Sequence, residues 1–201
     1  PECDENTIAK ESNQTECETC TPGKVASGGT ACTTCDLGTY GSAPGVCAKC
    51  RAGTYQDGRG EVKCKKCPED TFSSAVGATS NAECRACSDD RTTGDLMGAK
   101  SNTSCLCRWG FYQDDRCIPC PEGAECVTVG ASLNDIYASP GYWRSTHAPV
   151  FTPCKIAYTG VSEEDATRFA EERCCRNGSI CTNITEVDQQ CAPGYRGPLC
   201  A

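Results

Sequence analysis

Apolar side chains along this chain fall at fixed distances from cysteine. Over residues 17–126 a cysteine doublet is followed, three residues on, by glycine, and two residues later by an aromatic. The stretches TPGKV, DLGTY, RAGTY, PEDTF and RWGFY carry the pattern, with Gly23, Gly38, Gly53 and Gly110 in the glycine position and Tyr40, Tyr55, Phe72 and Tyr112 as aromatics. Glycine supplies the positive φ of a tight turn. The aromatic is expected to cover a disulfide as a one-residue core. The predicted unit is a small hairpin-like loop. Asp70 stands in for glycine in the fourth loop and Val25 for the aromatic in the first, so these two loops are expected to pack more loosely.

A helical period occurs in the stretch SEEDATRFAEERCC. Ser162 is a good N-cap with Asp165 three residues on, and acids fill the first turn. Ala166, Phe169, Ala170 and Cys174 share a face, which predicts a helix over roughly 163–175. Before it, Tyr137, Tyr142, Trp143 and Phe151 predict a small apolar cluster. It either packs on the last repeat or offers Tyr142, Trp143 and Phe151 as a partner surface.

Composition says what must hold these short elements together. Of 201 residues 22 are cysteine, about 11% and typical of a disulfide scaffold. Leu, Ile, Val and Phe number only 24, too few to fill the core that such a length could bury. The fold class expected is a small disulfide-rich one: elongated tandem cysteine-rich repeats with little regular secondary structure, plus a C-terminal cap with one short helix. Residues 1–126 read as the repeat rod, each repeat touching mainly its neighbours. Residues 127–201 read as an irregular disulfide-stapled region ending in a loop over 191–200.

The even cysteine count leaves no thiol over, and dense disulfides belong to oxidising compartments. Four N-x-S/T sequons, at Asn13, Asn102, Asn177 and Asn183, agree with a secreted glycoprotein. No apolar run reaches the ~18 residues of a membrane span. No basic leader opens the chain, so a signal peptide is expected to have been removed, leaving a mature chain or a region of something longer. A net charge of −8 argues against nucleic acid and anionic membranes as partners.

The doublets Cys17/Cys20, Cys32/Cys35, Cys47/Cys50, Cys64/Cys67, Cys84/Cys87, Cys105/Cys107 and Cys117/Cys120 invite zinc and redox readings. Zinc would use paired CxxC thiolates, and redox chemistry would need a thioredoxin-like βαβ frame. The sequons, the even count and the missing frame argue against both. His147 has no paired nucleophile or acid, and no phosphate loop, HExxH helix or nucleophile elbow occurs. No enzyme activity, no cofactor and no metal are expected.

Residues 17–126 resemble the short cysteine repeats of ephrin-receptor-like and tumour-necrosis-factor-receptor-like ectodomains. The stretch CRACSDDRTTGDLMGAKSNTSCLCRWGFYQDDRCIPC is the nearest, its C-x-C-x-x-G-F-Y being similar to the end of an EGF-like module. The final CAPGYRGPLC resembles the last loop of such a module, without acidic calcium ligands before it. PGYWR together with GYRGPLC resembles segments of large cysteine-rich surface proteins of algae and other protists. The receptor resemblance implies that each loop is closed by the second cysteine of one doublet and the first of the next. That gives Cys20–Cys32, Cys35–Cys47, Cys50–Cys64, Cys67–Cys84, Cys87–Cys105 and Cys107–Cys117, with Cys3–Cys17 and Cys120–Cys126 at the ends and Cys191–Cys200 last. An interlocked pattern between neighbouring doublets is the alternative, since spacing alone fixes no connectivity. Adjacent Cys174 and Cys175 are expected to tie the helix end to Cys154 and Cys181.

Two functions are compatible with these residues. The first is a non-catalytic building block of an extracellular or cell-surface filament, coat or matrix, with protein partners including copies of itself. The second is a receptor ectodomain whose repeats bind a protein ligand.

Overall fold

A computed structural model describes residues 3, 6–9, 16–145, 148–154, 160–175, 190–195 and 198–200. The chain divides into two compact units, Pro1–Cys105 and Leu106–Ala201.

In the first unit the glycine turns produce two-stranded antiparallel hairpins. β1 (Thr7–Ile8) pairs with β2 (Glu18–Thr19), β3 (Lys24–Ser27) with β4 (Ala31–Thr34), and β5 (Thr39–Ala43) with β6 (Val46–Lys49). β7 (Thr54–Tyr55) pairs with β8 (Lys65–Lys66), and β9 (Thr71–Phe72) with β10 (Arg85–Ala86). Disulfides Cys3–Cys17, Cys20–Cys32, Cys35–Cys47, Cys50–Cys64, Cys67–Cys84 and Cys87–Cys105 close successive loops, so the pairing is sequential, not interlocked. The core is cystine: Cys20, Cys35, Cys50 and Cys67 are at most 1% exposed, whereas Tyr40, Tyr55 and Phe72 are only half-buried. Small Ala78 and Ala99 join it, each bridged in parallel to the aromatic of the preceding loop.

Backbone hydrogen bonds repeat with the sequence. Within loops, the amides of Cys35, Cys50 and Cys67 donate to the carbonyls of Gly23, Gly38 and Gly53 at 2.8, 2.9 and 2.9 Å. Between neighbours, the amides of Gly38 and Gly53 donate to the carbonyls of Gln56 and Ser73, at 2.8 and 2.7 Å. Buried backbone groups need such partners, and loops this short supply them only by stacking.

The stacking reaches further than the neighbour. Gly53, at φ +82°, lies so close to Gly98, two loops on, that a Cβ there would stand 2.8 Å from the Gly98 carbonyl carbon. Gly23 with Gly60 and Gly38 with Gly77 repeat the contact. The expectation that each repeat touches mainly its neighbours is corrected here. Glycine is needed for space as well as for torsion.

Asp70 corrects a second expectation. It takes φ +59°, a conformation Asp tolerates better than most residues. Its carboxylate accepts from the Thr92 hydroxyl at 2.5 Å and the Thr93 amide at 3.1 Å, and its own amide donates to Thr93 Oγ1 at 2.9 Å. The fourth loop is thereby latched to the fifth, not loosened.

In the second unit β11 (Phe111–Gln113) pairs with β12 (Cys117–Pro119) within the Cys107–Cys117 loop. After Cys120–Cys126, the segment that composition sets apart as irregular continues the same geometry. β13 (Ala124–Glu125) pairs with β14 (Tyr137–Ala138), and β15 (Tyr142–Arg144) with β16 (Phe151–Pro153). The amides of Ser139 and Cys154 donate to the carbonyls of Gly123 and Gly141, both at 2.8 Å, as doublet cysteines do earlier. Ile136, fully buried with Tyr112, Cys126 and Ala131, takes the place of the first cysteine of a doublet. An apolar side chain here stands where a cysteine would, and Cys120 bonds Cys126 instead, which is why cysteine spacing does not show the repeat.

Helix α1 (Glu163–Arg173) starts on Ser162, whose Oγ accepts from the Asp165 amide at 3.1 Å and donates to its carboxylate at 2.8 Å. It stops two residues short of 175, because Cys174 turns extended to bond Cys154. Ala170 faces the core with Cys154, Cys174 and Cys200. Phe169, expected on that face, is 36% exposed beneath Arg168. Cys175 is disulfide-bonded, while its expected partner, Cys181, lies outside the described residues. Cys191–Cys200 closes the final loop.

Candidate functional site

Among the sequence-derived candidates, the aromatic surface is engaged within its own unit. Tyr142 lies across Gly123 with its hydroxyl 3.4 Å from Glu122. Trp143 packs on the cluster of Cys154, Ala170, Cys174 and Cys200, and Phe151 on that of Tyr112 and Ile136. All three are half-buried, so their hairpin joins two clusters. Trp143 is therefore a structural contact before it is anything else.

The residue that organises this region is Arg144, which sequence reading passed over. It is 4% exposed, and its guanidinium lies 5.8 Å from the Phe151 ring centroid. One guanidinium nitrogen donates to the Ile136 carbonyl and another to the Leu133 carbonyl at 2.7 Å. Burial pulls its pKa below the usual arginine value. Its backbone is fixed by Gln190, whose side chain accepts from the Arg144 amide at 2.8 Å and donates to its carbonyl at 3.0 Å. The carbonyls it satisfies belong to the first residue and to the C-cap, Ile136, of a 3-10 turn, Leu133–Asp135, whose Ser132 and Asp135 form a capping box. Hydrogen bonds from the Ser132 hydroxyl and amide hold the Asp135 carboxyl below its usual range. An arginine two residues after a Gly-aromatic turn carried no signal of this role.

Asn102 opens an exposed 3-10 turn, Asn102–Ser104, and its side-chain amide has no hydrogen bond among the described residues. The matching turn one loop earlier, Asn81–Glu83, has the same backbone but no sequon. Asn13, Asn177, Asn183 and His147 lie outside the described residues. All described cysteines are disulfide-bonded. Such sulfurs offer neither a thiolate ligand nor a nucleophile. Among the described residues no helix is long and apolar enough to cross a membrane.

The geometry defines a class: tandem disulfide-stapled hairpins stacked through backbone hydrogen bonds. Comparison with known proteins is consistent with it. Residues 38–84 match the family described as tyrosine-protein kinase ephrin type A/B receptor-like, which spans loops two to four. The chain is also similar, 36% identical over 133 residues, to the rat (Rattus norvegicus) "Sushi, von Willebrand factor type A, EGF and pentraxin domain-containing protein 1". That match covers 62% of this chain and 4% of the relative. Cysteine-rich repeats of this kind are typical of extracellular proteins and serve as interaction modules.

Proposed function

We propose that the chain is a secreted, N-glycosylated, non-catalytic module that builds an extracellular or cell-surface assembly through protein contacts, including contacts with copies of itself. The observation that supports this most is the stacking, within the first unit, of the loops carrying Gly23, Gly38 and Gly53 on the next loop and on the one after. It makes backbone geometry, not a cleft, the repeating feature, as in solenoid proteins that present extended surfaces. Glycans on Asn102 and the other sequons would keep chosen faces solvated.

The second reading, a receptor ectodomain binding a protein ligand, draws on the receptor-like family matched by residues 38–84. Sedimentation velocity of the secreted chain over a wide concentration range, with electron microscopy of the same samples, separates the two. Concentration-dependent oligomers or fibres support the assembly reading. A chain that stays monomeric throughout and binds a soluble protein tightly overturns it.

A further inference from the structure

The charge of the chain is unevenly placed. Between residues 49 and 66 stand six basic residues, Lys49, Arg51, Arg59, Lys63, Lys65 and Lys66, against Asp57 and Glu61. The remaining residues carry 13 basic against 25 acidic. A local balance of +4 thus sits in a chain of −8, which the whole-chain charge conceals.

Two of these cations are paired with acids, and Glu61 has no ion-pair partner among the described residues. Lys65 bonds Asp57 at 2.6 Å, and Arg59 reaches Asp36 at 3.6 Å. Lys49, Arg51, Lys63 and Lys66 are exposed and have no salt-bridge partner among the described residues. Their backbone positions are set by the fold. The Arg51 carbonyl accepts from Thr54 twice, at 3.0 and 2.7 Å, and the Lys63 carbonyl accepts from the buried Gln56 side chain. Lys49 and Lys66 occupy the same place in successive repeats, just before a doublet's second cysteine. Their stems lie along Gly77 and Gly98 two loops on, 3.6 and 3.4 Å from where a Cβ would be. Packed stems leave the ammonium groups in solvent and reduce the rotamer freedom lost on binding.

We propose that the third loop and its flanking doublets form a binding site for a linear anionic polysaccharide, one bearing sulfate or uronate groups. Repeating cations on fixed backbone suit a polymer with repeating charge, and Arg51 adds bidentate recognition of sulfate or carboxylate. The acidic remainder of the chain repels such a polymer, so attraction is confined to this loop. This goes beyond the assembly reading and stands whether or not the chain self-associates.

The test measures binding of the secreted chain to a heparin dodecasaccharide and, in parallel, to oligogalacturonate, by calorimetry over a range of salt. Four released counterions, at about 0.7 per charge for a single-stranded polyanion, weaken binding roughly 600-fold for a tenfold rise in salt. K49Q/R51Q/K63Q/K66Q is expected to remove that dependence and the binding with it. R116Q, which removes an exposed cation of the second unit that is no part of the proposed site, is expected to bind as the parent does. Retained amide protection at Cys50 and Cys67 shows that the fourfold variant is folded. Binding to either saccharide with these variant effects supports the site. Failure of both saccharides at low salt, an unchanged fourfold variant, or a variant that loses only self-association overturns it, the last assigning the cations to a second copy of the chain.

Discussion

Replacing Gly53 by alanine isolates what the stacking between alternate loops is worth. The substitution acts twice. An L-residue held at φ +82° costs about 1–2 kcal/mol. The new Cβ would also lie 2.8 Å from the Gly98 carbonyl carbon and 3.2 Å from the Ala99 carbonyl oxygen. Both are backbone atoms that no side-chain rotation can move aside, an overpacking cost of about 1–3 kcal/mol. Gly110 provides the matched control, since it has φ +83° with nothing within 4 Å of its Cβ position. Amide exchange is the right assay, because repeats open locally and a single unfolding transition is not guaranteed. The reporters are the Cys67 amide, which donates to Gly53 at 2.9 Å, and the Gly98 amide, which donates to Cys67 at 2.9 Å. A total of about 2–5 kcal/mol lowers their protection roughly 30- to several-thousand-fold, at one factor of ten per 1.4 kcal/mol. In G110A the Cys120 amide should lose only the torsional part, roughly 5- to 30-fold. Equal losses in the two variants would refute the argument that glycine is kept at position 53 for space.

Asp70→Gly removes a strained torsion yet is expected to expose the Thr93 amide. Two charge-assisted bonds of about 1.5–3 kcal/mol each outweigh relief of about 1 kcal/mol, and a gain in protection would disprove the latch. Arg144→Met should cost about 2–4 kcal/mol by leaving the Leu133 and Ile136 carbonyls without donors, read from exchange at the Asp135 amide, with Arg144→Lys intermediate. Because hydrogen bonds depress the folded Asp135 carboxyl below 3.8, its contribution to the turn is complete above that value and is lost as pH falls through the folded value. NMR of the Ser132 amide on acid titration checks this, and an unchanged profile in Ser132→Ala would contradict it. Serine at both Cys67 and Cys84 removes a loop constraint of about 3 kcal/mol. It should raise exchange in the second to fifth loops and leave Ile8 untouched, whereas global unfolding would show that the repeats are not quasi-independent.

Much of this was legible in the sequence because cysteine and glycine mark backbone directly. The doublets gave the loop boundaries, the Gly-aromatic pairs gave the hairpins, and Ser162 gave the helix start to the residue. What stayed hidden depends on contacts between loops. Nothing local in PEDTF says that Asp70 bonds residues 22 and 23 positions away. Nothing in GYWR says that Arg144 turns inward, since an arginine's carbonyl partners lie on other segments. Ile136 shows the same limit from the other side, filling the place of a doublet's first cysteine while Cys120 bonds Cys126.

That substitution bears on how such a chain changes without losing its fold. The invariants of the stack are the amide-to-carbonyl bonds, 2.8 Å for both Cys35 to Gly23 and Ser139 to Gly123, whether or not a cysteine supplies the amide. A disulfide restricts the unfolded chain and fills a small buried volume. Ile136, wholly buried among Tyr112, Cys126 and Ala131, fills volume but does not restrict the unfolded chain. Here the isoleucine has extra cover from Arg144 and the β15–β16 hairpin, and the loop keeps a shorter constraint in Cys120–Cys126. Among the described residues of the first unit the aromatics are half-buried and no comparable cover occurs, so there the cystines are needed.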